Sequence, residues 1–177
     1  GSSMLCDELL IRLCPLEQLQ TFSTSLRFSR LMAAYNPRIA VAKQSWEADG
    51  HIDELYLMPS GKVRPDFVQP EVFDGKTIFV QSEKTFSSAG ILMTMARDNH
   101  IGLIVGTNST FSPSHYGEVL PYRLPNTNVI GTISCKYFAR PDKEHLDDKS
   151  LMPDVYLDLT DKEKALDAIL KQLTIDN

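Results

Sequence analysis

Apolar side chains recur along the chain with two spacings, one typical of helices and one typical of strands. In residues 4–35, apolar side chains recur about every four positions, with a break near Pro15. This spacing predicts a helical region. Residues 38–46 contain a short apolar run that predicts a strand. Residues 49–75 are rich in Gly, Pro and charge, and predict an irregular excursion with a short hairpin at 55–57.

The second half of the chain is patterned as a strand, a helix and a second strand. Apolar runs predict strands at 76–81 and 101–106, and a periodic segment predicts a helix at 88–98 between them. Because the connections are short, this is a βαβ unit, whose strands should be parallel and whose crossover should be right-handed. Two more strands are predicted at 118–124 and 128–135, around a Pro-Asn-Thr turn.

The last elements complete a chain of the α/β class. Residues 155–159 predict a short strand, and Thr160 is expected to cap a final helix, with Glu163 completing a capping box. Gly1 to Ser3 resemble the remnant of a purification tag, and residues 4–177 are expected to form one domain. The final helix carries an apolar stripe made of Ala165, Leu166, Ile169, Leu170 and Leu173.

Composition narrows the function classes. The 177 residues are 42% hydrophobic, enough for one core, and the net charge of −5 disfavours nucleic acid as a partner. No apolar run approaches the roughly 20 residues needed to cross a bilayer. Cys6, Cys14 and Cys135 lack metal-type C-x-x-C spacing, so buried or free thiols are expected. No two histidines share an i, i+4 spacing, and neither a metal nor a cofactor is predicted.

The segment best suited to catalysis lies in residues 77–90, where a predicted strand ends at a cluster of hydroxyls just before a predicted helix. Such a turn can hold a serine oxygen and unpaired backbone N–H groups at one point. In the simpler interpretation, Ser87 or Ser88 caps the helix, which contributes about 1 kcal/mol. In the other, a serine is a nucleophile, and it then needs a neighbouring group that removes its proton.

Several short motifs resemble, in order and spacing, the C-terminal processing (tail-specific) serine peptidases. Residues 85–89 read Thr-Phe-Ser-Ser-Ala and resemble that family's Thr-x-Ser-x-Ala nucleophile segment. Similar pieces are the strand and threonine loop at 104–110, the Tyr-Gly and Arg-Leu-Pro-Asn-Thr stretches within 116–127, and Met-Pro-Asp-Val at 152–155. The resemblance covers about residues 76–158. It implies a crotonase-like α/β fold, which the family shares with the Clp proteases.

The resemblance also implies roles for individual residues. Ser87 aligns with the nucleophile, and the N–H of Ser88 would be one oxyanion donor at the positive end of a helix. The family's general base is a lysine in the loop after the threonine, but serine or proline stands there, and no lysine occurs between Lys84 and Lys136. His115 in that loop is the nearby candidate base. Lys84 is expected to be solvated.

A second departure concerns the other half of the site. The family's Asp-Arg-x-Asn-x-Gly-Gly motif, which gives the second oxyanion N–H, does not occur in this sequence. The first helix resembles the one that follows that motif, so the sequence is expected to begin partway through a catalytic domain. The tricorn-like branch of the family uses an upstream histidine and a late glutamate. By that resemblance Glu144 is the late-acid candidate, with Asp147 as its competitor.

The leading interpretation is a serine-type peptidase, possessing all or part of a catalytic unit, that acts on a polypeptide substrate lying beside a sheet edge. The resemblance suggests a bacterial protein of the periplasm or cell envelope, and self-association is left open. The alternative is a catalytically silent peptide-binding or scaffold domain of the same fold, which the two departures favour. An acyl-CoA enzyme of the crotonase type shares the fold but ranks low, because the Thr-x-Ser-x-Ala segment and the Leu-Pro-Asn-Thr stretch resemble the peptidases. Fold likeness alone does not decide function.

Overall fold

Helices and strands are interspersed along the described part of the chain. The computed structural model describes residues 3–51, 54–58 and 68–174. In chain order the elements are α1 (Ser3–Leu10), β1 (Ser23–Leu26), α2 (Arg30–Tyr35), α3 (Pro37–Ala48), β2 (Tyr56–Met58), β3 (Ile78–Gln81), α4 (Ser88–Asp98), β4 (Leu103–Gly106), β5 (His115–Arg123), β6 (Ile130–Ala139), β7 (Val155–Tyr156) and α5 (Lys162–Thr174). They form two units.

The first unit consists, within the described chain, of residues 3–21, 68–114 and 140–174. Its sheet has the order β3-β4-β7, and both pairs of strands are parallel. Ile78 pairs with Leu103 and Gln81 pairs with Gly106, with α4 as the connection between β3 and β4. The predicted parallel βαβ arrangement of strand, helix and strand is therefore confirmed.

The core of the first unit lies around β4 and α4. Short parallel strands read as continuous apolar runs when both of their faces are buried, and Ile104 and Val105 of β4 are each 1% exposed. Helix α1 packs against α4. The buried apolar side chains of this unit include Leu10, Ile11, Met93, Met95, Ala96, Ile101, Phe111 and Leu151.

Asp154 attaches the segment before β7 to the middle of the sheet. Its backbone N–H donates to the Ile104 carbonyl at 2.7 Å, and its Oδ2 accepts the Ile104 N–H at 2.8 Å. Arg97, near the end of α4, donates to the Asp154 carboxylate and to the Met152 carbonyl. The late Pro-Asp pair of the sequence therefore works as a structural anchor for the third strand.

The second unit consists of residues 22–51, 54–58 and 115–139. Its antiparallel sheet has the order β2-β1-β6-β5, and α2 contacts β5. The hairpin of β5 and β6 runs in register from His115 opposite Phe138 to Arg123 opposite Ile130. The two predicted strands are confirmed, and both extend further toward residues 115 and 139 than the sequence pattern indicated.

Three local predictions were wrong. The predicted strand at 38–46 is helix α3, because Asn36 accepts the Arg38 N–H and Pro37 occupies the first helical position, both strong helix-start signals. The predicted helical region 4–35 contains strand β1, which pairs with β2 and β6. The predicted excursion at 49–75 lies partly outside the described residues; within it, Tyr56–Met58 form strand β2, and the hairpin stays a prediction.

The third wrong prediction is the cap of the last helix. Helix α5 begins at Lys162, and Asp161 accepts the backbone N–H of Lys164 at 3.2 Å. Thr160 instead donates its hydroxyl to Asp158. Asp161 is therefore the N-cap, because a carboxylate one residue before the helix reaches the third N–H of the first turn. Of the predicted apolar stripe, Ala165 is buried, whereas Leu166 and Leu170 are at least half exposed.

Candidate active site

Ser87 lies at the junction of the β3 turn and helix α4, in an unusual backbone conformation. Its φ is 57° and its ψ is −126°, a region that residues with a side chain rarely occupy. Ser87 holds the N-cap position of α4, yet its hydroxyl makes no capping hydrogen bond. The side chain is exposed. In this strained conformation, the serine hydroxyl is therefore exposed to solvent and does not cap the start of the helix.

The turn that leads to Ser87 is closed by hydrogen bonds between Ser82 and Thr85. The Thr85 N–H donates to the Ser82 carbonyl at 2.9 Å, and the Ser82 N–H donates to Thr85 Oγ1 at 3.0 Å. Ser82 Oγ also accepts the Lys84 N–H at 3.2 Å. The hydroxyl cluster noticed in the sequence thus organises its own backbone, and Lys84 is exposed, as predicted.

Gln81 joins this turn to two other segments of the first unit. Its amide nitrogen donates to the carbonyls of Thr107 and Leu151 at 2.9 and 2.8 Å, and the residue is 1% exposed. Its side-chain oxygen is buried and has no hydrogen-bond partner among the described residues. Gly106 makes room for the pairing, because its φ is 123° and a Cβ there would collide with the Gln81 carbonyl. The sequence reasoning missed Gln81, since a glutamine ending an apolar run is an ordinary strand end.

The N–H of Ser88 is the first of helix α4, which begins at that residue. First-turn N–H groups have no partner inside their own helix, and the helix dipole adds positive potential there. The Ser88 carbonyl accepts a hydrogen bond from Cys6 Sγ at 3.4 Å, which links α1 to the start of α4. Burial, with the nearby charge of Asp7, raises the pKa of the Cys6 thiol, so this cysteine stays protonated and donates.

The loop position at which the resemblance predicts a lysine is occupied by Ser112, Pro113 and Ser114. Ser112 Oγ donates to the Lys149 carbonyl at 3.2 Å, and Pro113 is fully buried. Ser114 is buried as well, and its hydroxyl accepts the Arg140 N–H at 3.3 Å. These side chains are engaged in holding the loop, so none of them is a candidate base.

His115, the candidate base, is the first residue of β5 in the second unit, whereas Ser87 belongs to the first unit. Its ring stacks on Phe138 with centroids 5.1 Å apart, and Phe22 meets it edge-on at 5.8 Å. Within its own unit, His115 is therefore oriented by two aromatic side chains.

Glu144, the candidate late acid, lies in the loop that follows β6. Its N–H donates to Asp142 Oδ1 at 2.9 Å, and its side chain is exposed. It lines a polar cleft of about 830 Å³ whose lining residues do not include Ser87. Its competitor Asp147 is exposed in the same loop and is not among the lining residues.

A buried ion pair, which the sequence analysis missed, fixes the loop that carries Glu144. Arg140 donates from Nε and Nη2 to the Asp98 carboxylate, and the two side chains are 3% and 0% exposed. Its Nη1 donates to Asp148 at 2.9 Å. Burial alone would lower the pKa of Arg140, but the hydrogen bond to Asp98 and the surrounding carboxylates raise it. No sequence signal joins two charges 42 positions apart.

Within the same loop, Asp142 and His145 form a pair at 2.6 Å. Burial acts to raise the pKa of Asp142, yet the hydrogen bonds from His145 and from the Glu144 N–H hold that pKa below its ordinary value. Asp142 therefore remains a carboxylate throughout the neutral range. Among the described residues, no three His, Cys, Asp or Glu side chains are grouped so as to hold a metal ion.

Comparisons with known proteins yield matches to solved structures. The sequence matches no protein-family model and no curated protein sequence. Mature CPAF superposes with a TM-score of 0.60 at 15% identity, over 98% of this chain and 40% of that one. A protein described as a peptidase from Parabacteroides merdae superposes with a TM-score of 0.62 at 14% identity, over 100% of this chain and 49% of that one. A protein described as an S41 protease from Bacteroides fragilis superposes with a TM-score of 0.55 at 13% identity, over 98% of this chain and 42% of that one.

At these identities the likeness concerns the fold, which is similar to that of S41 (tail-specific) protease domains. The chain spans less than half of each of these three structures. Within the described ranges, none of the helices combines the length and apolarity needed to cross a bilayer. The three cysteines, all within the described ranges, form no disulfide; Cys6 and Cys14 are buried and Cys135 is partly exposed.

Proposed function

We propose that this chain is part of a serine-type peptidase domain in which Ser87 is the nucleophile. The observation that carries the proposal is the backbone of Ser87, at φ 57° and ψ −126°, together with an exposed hydroxyl that makes no capping bond. Strained residues of this kind concentrate at functional sites, and a sharp strand-to-helix turn is one known way to expose a nucleophile. The similarity in fold to S41 protease domains supports the same assignment.

In the proposed reaction, Ser87 Oγ attacks the carbonyl carbon of a peptide bond while a base takes its proton. The N–H of Ser88 stabilises the resulting oxyanion. The carbon–nitrogen bond then breaks, the amine leaves with the proton, and water hydrolyses the acyl-enzyme. His115 is the proposed base and Glu144 the proposed late acid. No step requires a cofactor. A crotonase-like arrangement of the complete sheet and a polypeptide substrate belong to the same proposal.

Covalent labelling tests the nucleophile directly. The folded chain is treated with a fluorophosphonate, and the modified residue is located by peptide mass spectrometry. We expect labelling at Ser87 and none in Ser87→Ala. The matched control is Ser88→Ala, which keeps the backbone N–H and should still be labelled. A folded chain that carries no label, or carries it on another serine, would contradict the proposal.

The two proposed partners of Ser87 are tested in the same assay. General-base assistance contributes roughly 10²- to 10⁴-fold, so His115→Gln should slow labelling by about that factor if histidine removes the proton. Glu144→Gln should have a smaller effect, with Asp147→Asn as its control. A His115→Gln variant that is labelled at the original rate rules out His115 as the base but leaves Ser87 in place.

A further inference from the structure

Glu83, in the turn before Ser87, accepts two hydrogen bonds from the loop after β4. Thr110 Oγ1 donates to the Glu83 backbone carbonyl at 2.8 Å, and Thr107 Oγ1 donates to the Glu83 carboxylate at 3.3 Å. All three residues belong to the first unit. We call this set, Glu83 with Thr107 and Thr110, the Glu83 clamp.

We propose that Thr110 is a positioning residue for Ser87, acting through the Glu83 clamp. The inference rests on the proposed function, because it names a residue that holds the nucleophile in its reactive conformation. Thr110 does not touch the reacting atoms in this proposal. It fixes the peptide plane that follows Glu83, four residues before Ser87, and thereby the path of the chain into α4.

The turn needs a constraint from outside itself. The bonds between Ser82 and Thr85 close the first part of the turn but do not extend to Ser87. After Ser87 the helix begins, and the Ser87 carbonyl accepts the Ile91 N–H at 2.9 Å. A residue at φ 57° keeps that conformation only when its surroundings over-determine it. The Glu83 clamp supplies hydrogen bonds from the loop after β4, and these bonds restrict the other backbone conformations that the turn before Ser87 could adopt.

Thr110 is suited to a clean test because it is exposed. Replacing it by valine keeps its size and branching and removes only the hydroxyl, so the variant should fold. Thr110→Ser restores the donor and serves as the rescue variant. Thr174 offers a matched control: it is also exposed, and its Oγ1 also donates to a backbone carbonyl, that of Lys171, at 2.8 Å. Thr174→Val therefore removes an equivalent hydrogen bond far along the chain in α5.

Two measurements are made on the wild-type chain and these three variants. One is the second-order rate constant for fluorophosphonate labelling of Ser87, separated into reagent affinity and the rate of the covalent step. The other is amide hydrogen exchange of the segment 82–88. We expect Thr110→Val to slow the covalent step about tenfold, since small misplacements of reacting groups carry large rate penalties. It should also speed exchange in 82–88, while Thr110→Ser and Thr174→Val behave like the wild type.

The outcomes separate this inference from the proposed function. Unchanged labelling in Thr110→Val overturns the inference even where Ser87 is confirmed as the nucleophile. An equal loss in Thr174→Val also overturns it, because the effect would then be one of general stability. If the wild type is not labelled at all, the proposed function fails. Hydrogen exchange then shows by itself whether the Glu83 clamp holds the turn before Ser87. Faster exchange in Thr110→Val alone supports the clamp, and unchanged exchange overturns it.

Discussion

Gly90 of helix α4 lies directly against the ring of Phe111, so closely that a Cβ built on Gly90 would overlap the ring. Phe111 is 6% exposed, and its ring meets that of Phe86 edge-on with centroids 5.7 Å apart. Phe86 immediately precedes Ser87. The absence of a side chain at Gly90 therefore allows the loop after β4 to pack onto the first turn of α4, next to the candidate nucleophile.

Gly90→Ala should destabilise the fold in spite of the higher helix propensity of alanine. Overpacking against Phe111 costs about 1–3 kcal/mol, and the gain in helix propensity returns roughly 0.8–1 kcal/mol. We expect a net loss of about 1 kcal/mol in the free energy of unfolding, measured in urea. The same substitution in a Phe111→Leu background should be neutral or stabilising. If Gly90→Ala is equally harmful in both backgrounds, the contact with Phe111 is not its cause.

Ser87→Gly should leave the protein more stable than Ser87→Ala, although both remove the hydroxyl. Glycine relieves backbone strain of about 1–3 kcal/mol and loses roughly 0.4–1 kcal/mol through the greater freedom of the unfolded chain. The expected difference in unfolding free energy is about 1 kcal/mol in favour of glycine. Ser45, in the last turn of α3, is the control and should show the reverse order. Equal stabilities of the two Ser87 variants would mean that its backbone is not strained.

Arg140→Met should destabilise the first unit strongly, because it leaves the Asp98 carboxylate buried without its partner. Breaking one side of a buried pair typically costs about 3–5 kcal/mol. Replacing both residues, as Arg140→Met with Asp98→Leu, should recover much of that loss. Unfolding by urea measures both variants. A mild effect of the single variant, similar to that of Lys164→Met at an exposed pair in α5, would contradict the structural role given to Arg140.

Asp161 should stabilise helix α5 in a pH-dependent way. The hydrogen bonds that it accepts from the Lys164 side chain and backbone lower the pKa of its carboxyl below the ordinary value of 3.8. A depressed folded-state pKa contributes stability that is present above the unfolded-state pKa and is lost as pH falls through the folded-state pKa. Asp161→Ala should therefore lower the Tm at pH 7, and the difference from wild type should vanish in acid well below 3.8.

The control for that prediction is Thr160→Val at the neighbouring position, which the sequence pattern had favoured as the cap. Its effect on the Tm at pH 7 should be smaller than that of Asp161→Ala. A larger change in Tm for Thr160→Val, or a pH-independent change for Asp161→Ala, would indicate that Thr160 caps the helix.

The βαβ unit was predictable because its signals are local. Buried parallel strands such as 103–106 read as apolar runs, and the periodic segment 88–98 between them reads as a helix, whatever the rest of the chain does. Strand β1 was not predictable on those grounds. Its Ser-Thr-Ser-Leu sequence has little strand propensity, and it forms because β2 and β6 supply hydrogen bonds on both sides.

Helix α3 shows how two local signals can conflict. Ile39 and Val41 favour a strand, whereas Asn36 and Pro37 start a helix. The apolar residues gain nothing from a strand here, since α3 buries none of its side chains and Val41 is 68% exposed. With no packing to favour a strand, the start signals decided the structure.

The sequence by itself determined where the candidate nucleophile lies, because a hydroxyl cluster between a strand and a helix is a feature of consecutive residues. It also determined the helix start that supplies the Ser88 N–H. Only the tertiary structure decided the conformation of Ser87 and the attachments around it, namely Glu83 to Thr110 and Gly90 to Phe111. The physical reason is that backbone strain persists only where contacts between distant segments enforce it, and those contacts leave no periodic signal in the sequence.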